Sequence, residues 1–159
     1  MSHDVWLSAE QQRAWVRFIA VVERLPGVLD TQLQHDADLT HFEYFTLAML
    51  SEAPDRALRM TELAAVTNAT LPRLSHVVSR LEKRGFVERR PCPEDRRATN
   101  ARLTELGWQK VVDTAPGHVA TVRETVIDPL DADDIEDLAR VMGKVLAKLD
   151  PENRVRVQR

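Results

Sequence analysis

The segment from Thr70 to Gly85 carries separate signals for both ends of a helix, and it constrains the fold more than any other feature. Thr70 is a residue that caps helix N-termini, and Pro72 falls in the first turn, where a missing backbone N–H costs nothing. Gly85 stands where a helix end favours a left-handed residue. The segment therefore predicts a helix over 71–84, whose inward face would carry Leu71, Leu74, Val77, Val78 and Leu81.

The sequence around this helix predicts a winged helix-turn-helix. Upstream, residues 58–60 favour an extended stretch, and Thr61 is placed to cap a brief helix over 62–66. Downstream, residues 86–90 and 99–103 read as two strands joined by a polar tip, which predicts a hairpin. Two short helices joined by a tight turn and followed by a hairpin form this module, and its second helix enters the major groove of DNA.

Longer helices are predicted on both sides of the module. Apolar residues recur at helical spacing over 8–34, although Pro26-Gly27 should kink this helix or end it early. Thr40 and Glu43 form a capping box for a second helix that stops at Pro54. A helix from Thr104 is expected to bend or break at Pro116-Gly117, and Asp131 caps a last helix.

These elements predict a mainly α fold with a small β-hairpin wing. We expect a DNA-binding module over 39–103, dimerisation helices over 1–38 and 104–150, and a frayed tail over 151–159. The first and last helices have apolar faces that a module of this size cannot cover, so a second copy of the chain is expected to bury them. No apolar run approaches a membrane span and no signal-peptide pattern begins the chain, which predicts a cytoplasmic protein.

The charge is distributed unevenly along the chain. The formal net charge is −3, but residues 56–102 contain ten Arg and one Lys against five acids, a net charge of +6. The flanking segments 1–55 and 103–159 have net charges of −6 and −3. A basic middle segment between acidic ends is typical of a phosphate-facing module on a scaffold, although a solvated basic face has the same pattern.

The outward face of the predicted recognition helix is polar and cationic, with no acid before Glu82. Arg bonds guanine with two hydrogen bonds, and Ser or His reaches base edges or phosphates. The candidate DNA-binding residues of this helix are Thr70, Arg73, Ser75, His76, Ser79, Arg80 and Lys83.

The hairpin carries a family resemblance. The stretch LEKRGFVERR over 81–90, followed by Asp95-Arg96-Arg97 and by LTELG over 103–107, resembles the MarR family of bacterial regulators. The resemblance covers about residues 10–150 and implies a homodimer whose two modules bind a palindromic DNA operator. It also implies that Arg97 enters the minor groove and that Asp95 holds the wing tip in shape. Arg96 is a further DNA-binding candidate, or is only solvated.

The resemblance also implies an effector, since members of the family release DNA when a small aromatic or phenolic acid binds between the dimer helices and the DNA module. Trp15, Phe18, His41, Tyr44 and Phe45 are candidates to line such a crevice, although aromatic residues at helical spacing are more often core. We expect neither a cofactor nor a metal. His35, His41 and His118 lack ligand spacing, and the lone Cys92 is either an inert loop residue or a redox sensor.

Two other classes of function compete with DNA binding. An enzyme is disfavoured, because Ser75 and His76 are adjacent on a helix and cannot form a nucleophile–base pair, and because catalytic and nucleotide-binding motifs are absent. A winged helix that binds another protein is the stronger alternative. The acid-poor face of the recognition helix and the Arg96-Arg97 tip favour DNA, since a protein-binding module has no need of this charge.

Overall fold

The computed structural model describes residues 5–155, which form six helices and one small sheet. The helices are α1 (Ala9–Ala37), α2 (His41–Glu52), α3 (Met60–Val66), α4 (Leu71–Lys83), α5 (Glu105–Val122) and α6 (Ala132–Leu149). The strands are β1 (Ala57–Arg59), β2 (Val87–Pro91) and β3 (Thr99–Leu103). A 3₁₀ turn at Pro54–Arg56 precedes β1, and a π-helical turn at Arg123–Ile127 follows α5. The predicted mainly α fold with a β-hairpin wing is confirmed.

Local capping signals define the ends of most helices at the residues that the sequence predicts. Thr40 and Glu43 form the capping box of α2, and Asp131 caps α6 together with Asp134. The hydroxyl of Thr70 caps α4, and Gly85 has a φ of +76°, the left-handed conformation that a helix end favours. The predicted cap of α3 is wrong, because α3 begins at Met60, one residue before Thr61.

Two prolines that were expected to interrupt helices do not end them. α1 continues through Pro26 to Ala37, and buried Leu29 and Leu33 follow the proline. α5 continues through Pro116. At Gly117 an added Cβ would lie 3.4 Å from Gln32 Nε2, an ordinary van der Waals contact, so this glycine lies beside α1 within an unbroken helix. Packing against the rest of the chain outweighs the single backbone hydrogen bond that a proline removes.

The sheet has three strands in the order β1-β3-β2, all antiparallel, so the predicted hairpin gains a third strand. Leu58 of β1 pairs with Ala101 of β3, and Arg89 of β2 pairs with the same alanine from the other side. The pairing places the hairpin against the helix-turn-helix. The core lies between the sheet, α2, α3 and α4, with Leu47, Leu50, Leu63, Leu74, Val78 and Leu81 fully buried.

α6 buries none of its residues against the rest of the described chain. Its apolar side chains are exposed instead, namely Ile135, Leu138, Val141, Val145 and Leu149. α1 also exposes apolar side chains on its surface, namely Trp15, Val16, Val21, Val22 and Val28.

Among residues 5–155, no helix is both long and apolar enough to span a bilayer. Residues 1–4 and 156–159 of the predicted dimerisation segment and tail lie outside the described residues.

Candidate nucleic-acid interface

The recognition helix α4 packs its apolar stripe inward and leaves the start of the helix at the surface. Leu74, Val77, Val78 and Leu81 are buried as predicted. Leu71 is not, since it is 45% exposed, so its predicted inward position is wrong. It occupies the first helical position, one turn before Leu74, and lies at the edge of the cleft between α4 and the wing.

The candidate residues of α4 separate into an exposed set and an internally bonded set. Arg73, His76 and Lys83 are exposed, and so is Thr70, whose hydroxyl accepts a hydrogen bond from the Arg73 N–H. Ser75 and Ser79 are half-buried, and the Ser79 hydroxyl donates to the Ser75 carbonyl at 2.9 Å. Both serines also accept hydrogen bonds from Arg89 of β2, a residue that the sequence reasoning did not identify as part of the site.

Arg80 pairs with Glu43; the Arg80 side chain is 45% exposed, whereas Glu43 is only 4% exposed. The Arg80 Nε donates to Glu43 Oε1 at 3.0 Å, and its Nη2 bonds the same oxygen. Burial by itself raises the pKa of Glu43, but the Thr40 backbone N–H and Arg80 favour the carboxylate and leave the pKa below its ordinary value. The ion pair therefore joins the start of α2 to the recognition helix.

The wing tip is ordered by Asp95. Its carboxylate accepts a hydrogen bond from the Arg97 backbone N–H at 3.0 Å, and its carbonyl accepts one from the Ala98 N–H at 2.9 Å. The side chains of Arg96 and Arg97 are exposed, and the Asp95 carboxylate bonds the backbone of Arg97 and not its guanidinium. Cys92 is buried at the base of the tip. The backbone N–H groups of Glu94 and Asp95 lower the pKa of its thiol.

Carboxylates neutralise most arginines of the basic segment. Six of its ten arginines form ion pairs, namely Arg56, Arg59, Arg80, Arg84, Arg89 and Arg90. Within residues 5–155, the cations of this segment that make no ion pair are Arg73, Lys83, Arg96, Arg97 and Arg102. Four of these five belong to the recognition helix and the wing tip. The free positive charge is therefore concentrated on one helix and the adjoining hairpin.

A crevice of about 720 Å³ separates α1 from the recognition helix. Its walls come from α1 (Pro26, Gly27, Asp30), from the start of α2 (Thr40, His41, Phe42) and from α4 (Arg73, His76, Val77, Arg80). The Arg73 guanidinium lies 4.4 Å from the centre of the Phe42 ring. The His41 backbone N–H donates to Asp30 at 2.7 Å, and burial lowers the pKa of the His41 ring.

Five aromatic residues are predicted to line an effector crevice, and of these five His41 alone lies in the wall of the crevice between α1 and α4. Phe45 stacks on His41, and Tyr44 is buried against His118, with ring centroids 4.7 Å apart. Trp15 and Phe18 contact each other in the first half of α1. A helical period places residues 41 and 45 on one face of α2 and turns Tyr44 toward α5, so the predicted set does not meet in one crevice. Phe42 lines it instead.

The three histidines do not form a metal site. His118 lies near His41. Burial is the main cause that lowers the pKa of His118, and the nearby His41 lowers it by a smaller amount. His35 is exposed and bonded to Asp36. In the part of the chain that the structure describes, no group of three or more His, Cys, Asp or Glu side chains is arranged to hold a metal ion.

A helix-turn-helix with an adjoining three-stranded wing defines a winged helix-turn-helix protein. The sequence profile of the MarR family matches residues 39–99. The solved structure of Sco3205, a MarR family transcriptional regulator from Streptomyces coelicolor in complex with DNA, is 45% identical, with a TM-score of 0.86 over 91% of this chain and 94% of that one. The chain therefore belongs to the MarR family, a family of transcriptional regulators and not of enzymes.

Two curated regulators from Bacillus subtilis (strain 168) are also similar. The HTH-type transcriptional regulator YdcH is 35% identical over 81 residues, which are 50% of this chain and 55% of YdcH. The HTH-type transcriptional repressor YetL is 27% identical over 111 residues, 70% of this chain and 66% of YetL. The chain thus matches less than two thirds of the length of either relative.

Proposed function

We propose that this protein is a sequence-specific DNA-binding transcriptional repressor that acts as a homodimer on a palindromic operator. The observation that carries the proposal is the concentration of unpaired cations on α4 and the wing tip. These are the two elements that a winged helix presents to DNA. The DNA complex of Sco3205 and the repressor activity in the name of YetL support it.

The proposed contacts follow from exposure. Arg73 and His76 are exposed near the N-terminus of α4 and would reach base edges in the major groove, while Lys83, exposed at the end of the helix, would contact phosphate. Arg97, and Arg96 beside it, would enter or border the minor groove from the wing tip. Ser75, Ser79 and Arg80 have partners inside the protein, so we assign them to the support of α4 and not to direct readout.

The homodimer is proposed from the uncovered helices. α6 is an amphipathic helix whose apolar side chains find no partner among residues 5–155, and α1 exposes a second apolar surface. Residues 1–38 and 104–150 would bury these surfaces against a second copy, while 39–103 forms each DNA-binding module. Two-fold symmetry then predicts half-sites about one duplex turn apart.

We further propose that the crevice between α1 and α4 binds a small aromatic acid that releases the DNA. Phe42 offers a ring to stack on, Arg73 supplies an unpaired positive charge in the wall, and His76 adds a hydrogen-bonding ring. Because Arg73 belongs both to this wall and to the DNA-facing surface, a carboxylate bound to its guanidinium competes with the DNA for the same cation. Benzoate is a suitable first probe.

The test is a fluorescence-anisotropy titration with the DNA upstream of the protein's own gene, with a scrambled duplex, and over a series of salt concentrations. We expect tight binding to the native duplex, a steep salt dependence and weaker binding by Arg73→Ala. Arg123→Ala is the matched control, because it removes the same charge from an exposed residue outside the module. Equal, weak binding to both duplexes, with no other genomic site found, would favour a protein-binding winged helix instead.

A further inference from the structure

Arg89 lies on the inward face of the wing, where an arginine is unexpected. Side chains alternate along β2, so Arg89 shares a face with buried Val87 and pairs across the sheet with buried Ala101. Its neighbours Glu88 and Arg90 point to the opposite face and pair with each other at 2.8 Å. The Arg89 side chain is 28% exposed, compared with 57% for Arg90.

The guanidinium of Arg89 reaches the recognition helix and bonds it at two successive turns. Its Nη2 donates to the Ser75 carbonyl at 2.7 Å, to the Ser75 hydroxyl at 3.2 Å and to the Ser79 hydroxyl at 2.9 Å. Its Nη1 lies 3.5 Å from Glu82 Oε2, and the backbone N–H of Arg89 donates to Glu82 Oε1 at 3.0 Å. We call these four residues, Arg89, Ser75, Ser79 and Glu82, the Arg89 cluster.

We propose that Arg89 is a positioning residue that holds the wing at a fixed distance and angle from the recognition helix, so that both engage one operator half-site together. The inference rests on the proposed DNA-binding function. β2 leads directly into the tip that carries Arg96 and Arg97, and α4 carries Arg73 and His76. The Arg89 cluster is the polar connection between these two DNA-facing elements. An unbraced wing must be ordered during binding, and this entropic cost lowers the affinity.

The alternative role for Arg89 is a direct contact to a DNA phosphate, and the two roles differ in measurable ways. A phosphate contact releases counterions, so its removal lowers the slope of log K against log [salt] by about 0.9 per contact. A positioning residue adds no counterion release, and its removal leaves the slope unchanged. Lysine replaces arginine well at a phosphate, but its single nitrogen cannot both bond the Ser75 and Ser79 oxygens and pair with Glu82, which Arg89 does with Nη2 and Nη1.

The experiment measures operator affinity by anisotropy over a salt series for full-length protein. The variants are Arg89→Ala, Arg89→Lys, the double variant Ser75→Ala/Ser79→Ala, and the combination of Arg89→Ala with the double variant. Arg90→Ala is the matched control, since it removes an equal charge from the next residue on the outer face of β2. Circular dichroism and sedimentation check that each variant keeps its fold and its mass.

We expect Arg89→Ala to weaken specific binding about tenfold or more with the wild-type salt slope. Arg89→Lys should recover only part of this loss, and Arg90→Ala should bind within about threefold of wild type. The serine double variant should also weaken binding, and its effect should not add to that of Arg89→Ala, because both remove the same connection.

A reduced salt slope in Arg89→Ala, full recovery by Arg89→Lys or additive losses with the serine variant would overturn the positioning role and assign Arg89 to a phosphate. Wild-type affinity in Arg89→Ala would also overturn it. If Arg89→Ala does not fold, the serine double variant and Arg89→Lys decide the question by their affinities: weaker binding by both supports the positioning role, and wild-type affinity in both overturns it. A wild-type protein that binds no duplex specifically would refute the proposed function itself, which is a separate outcome.

Discussion

Gly107 is the position where a single added methyl group should cost the most. It lies in the first turn of α5, where its N–H donates to the Thr104 hydroxyl at 3.0 Å. A Cβ at Gly107 would stand 2.1 Å from the Phe86 carbonyl oxygen and 2.7 Å from Leu103 Cδ1. The carbonyl is backbone and accepts a hydrogen bond from the Thr104 N–H at 3.0 Å, so it cannot move away without losing that bond.

The expected destabilisation of Gly107→Ala follows from these contacts. Overpacking of this kind costs about 1–3 kcal/mol, and the severity of a 2.1 Å approach to backbone favours the upper end. The weakened hydrogen bond adds about 1 kcal/mol, while the better helix propensity of alanine returns about 1 kcal/mol. The net loss in the free energy of unfolding is therefore about 3 kcal/mol.

Urea unfolding at one fixed protein concentration measures this loss, because the stability of a dimer depends on concentration. Gly143→Ala is the matched control: this glycine lies within α6, and an added Cβ meets nothing within 4 Å. We expect it to be as stable as wild type or more stable by up to about 1 kcal/mol. If the free energy of unfolding of Gly107→Ala lies within about 0.5 kcal/mol of the wild-type value, the close approach of Phe86 to α5 does not constrain this fold.

Three further perturbations test the interface and its support. Arg97→Ala should weaken operator binding and lower the salt slope by about 0.9 per subunit in anisotropy titrations, because it removes a cation from the interface; unchanged affinity and slope would remove the wing tip from DNA binding. Because the folded-state pKa of Glu43 lies below its ordinary value of 4.5, its contribution to stability is present above that value and is lost as pH falls through the folded-state pKa. Wild type should therefore lose more stability than Glu43→Gln between neutral and acidic pH, as measured by urea midpoints, and equal losses would refute the role of this carboxylate. Sedimentation should give a mass near twice 18.1 kDa, and Leu138→Asp in α6 should shift it toward the monomer; a wild-type monomer that is stable to dilution would exclude the dimer.

The sequence predicts the features whose causes are local. The caps at Thr40, Thr70 and Asp131, and the left-handed end at Gly85, each depend on contacts within about four residues, and the structure confirms all of them. The start of the wing's second strand at Thr99 is confirmed for the same reason, since alternation and the polar tip are visible in the sequence.

The features that the sequence reasoning missed depend on distant partners. The sequence predicts Arg80 as a DNA contact from its place on the helix and gives no sign of its ion pair, because the partner Glu43 lies 37 residues earlier. Ser75 and Ser79 are occupied by Arg89, which is 14 and 10 residues away. The alternation of Val87 and Arg89 on one face of β2 was the available signal for an inward arginine. The residues around Arg89 in the sequence do not predict which groups would accept hydrogen bonds from its guanidinium.

The ion pairs also change the meaning of the charge pattern along the chain. The charge pattern predicts acidic flanks that form a scaffold apart from the DNA, yet these flanks supply Glu43, Asp38 and Glu105 to arginines of the basic segment. These carboxylates neutralise Arg80, Arg84 and Arg56, so the flanks reduce the unpaired positive charge of the basic segment in addition to their proposed role in the dimer. Five unpaired cations then remain in the segment on each subunit, and ten in a dimer. If each of these cations contacts one phosphate and each contact contributes about 0.9, the slope of log K against log [salt] should be no steeper than about −9. A steeper slope would mean that DNA opens some of these ion pairs on binding, and that the carboxylates compete with the phosphates for the same arginines.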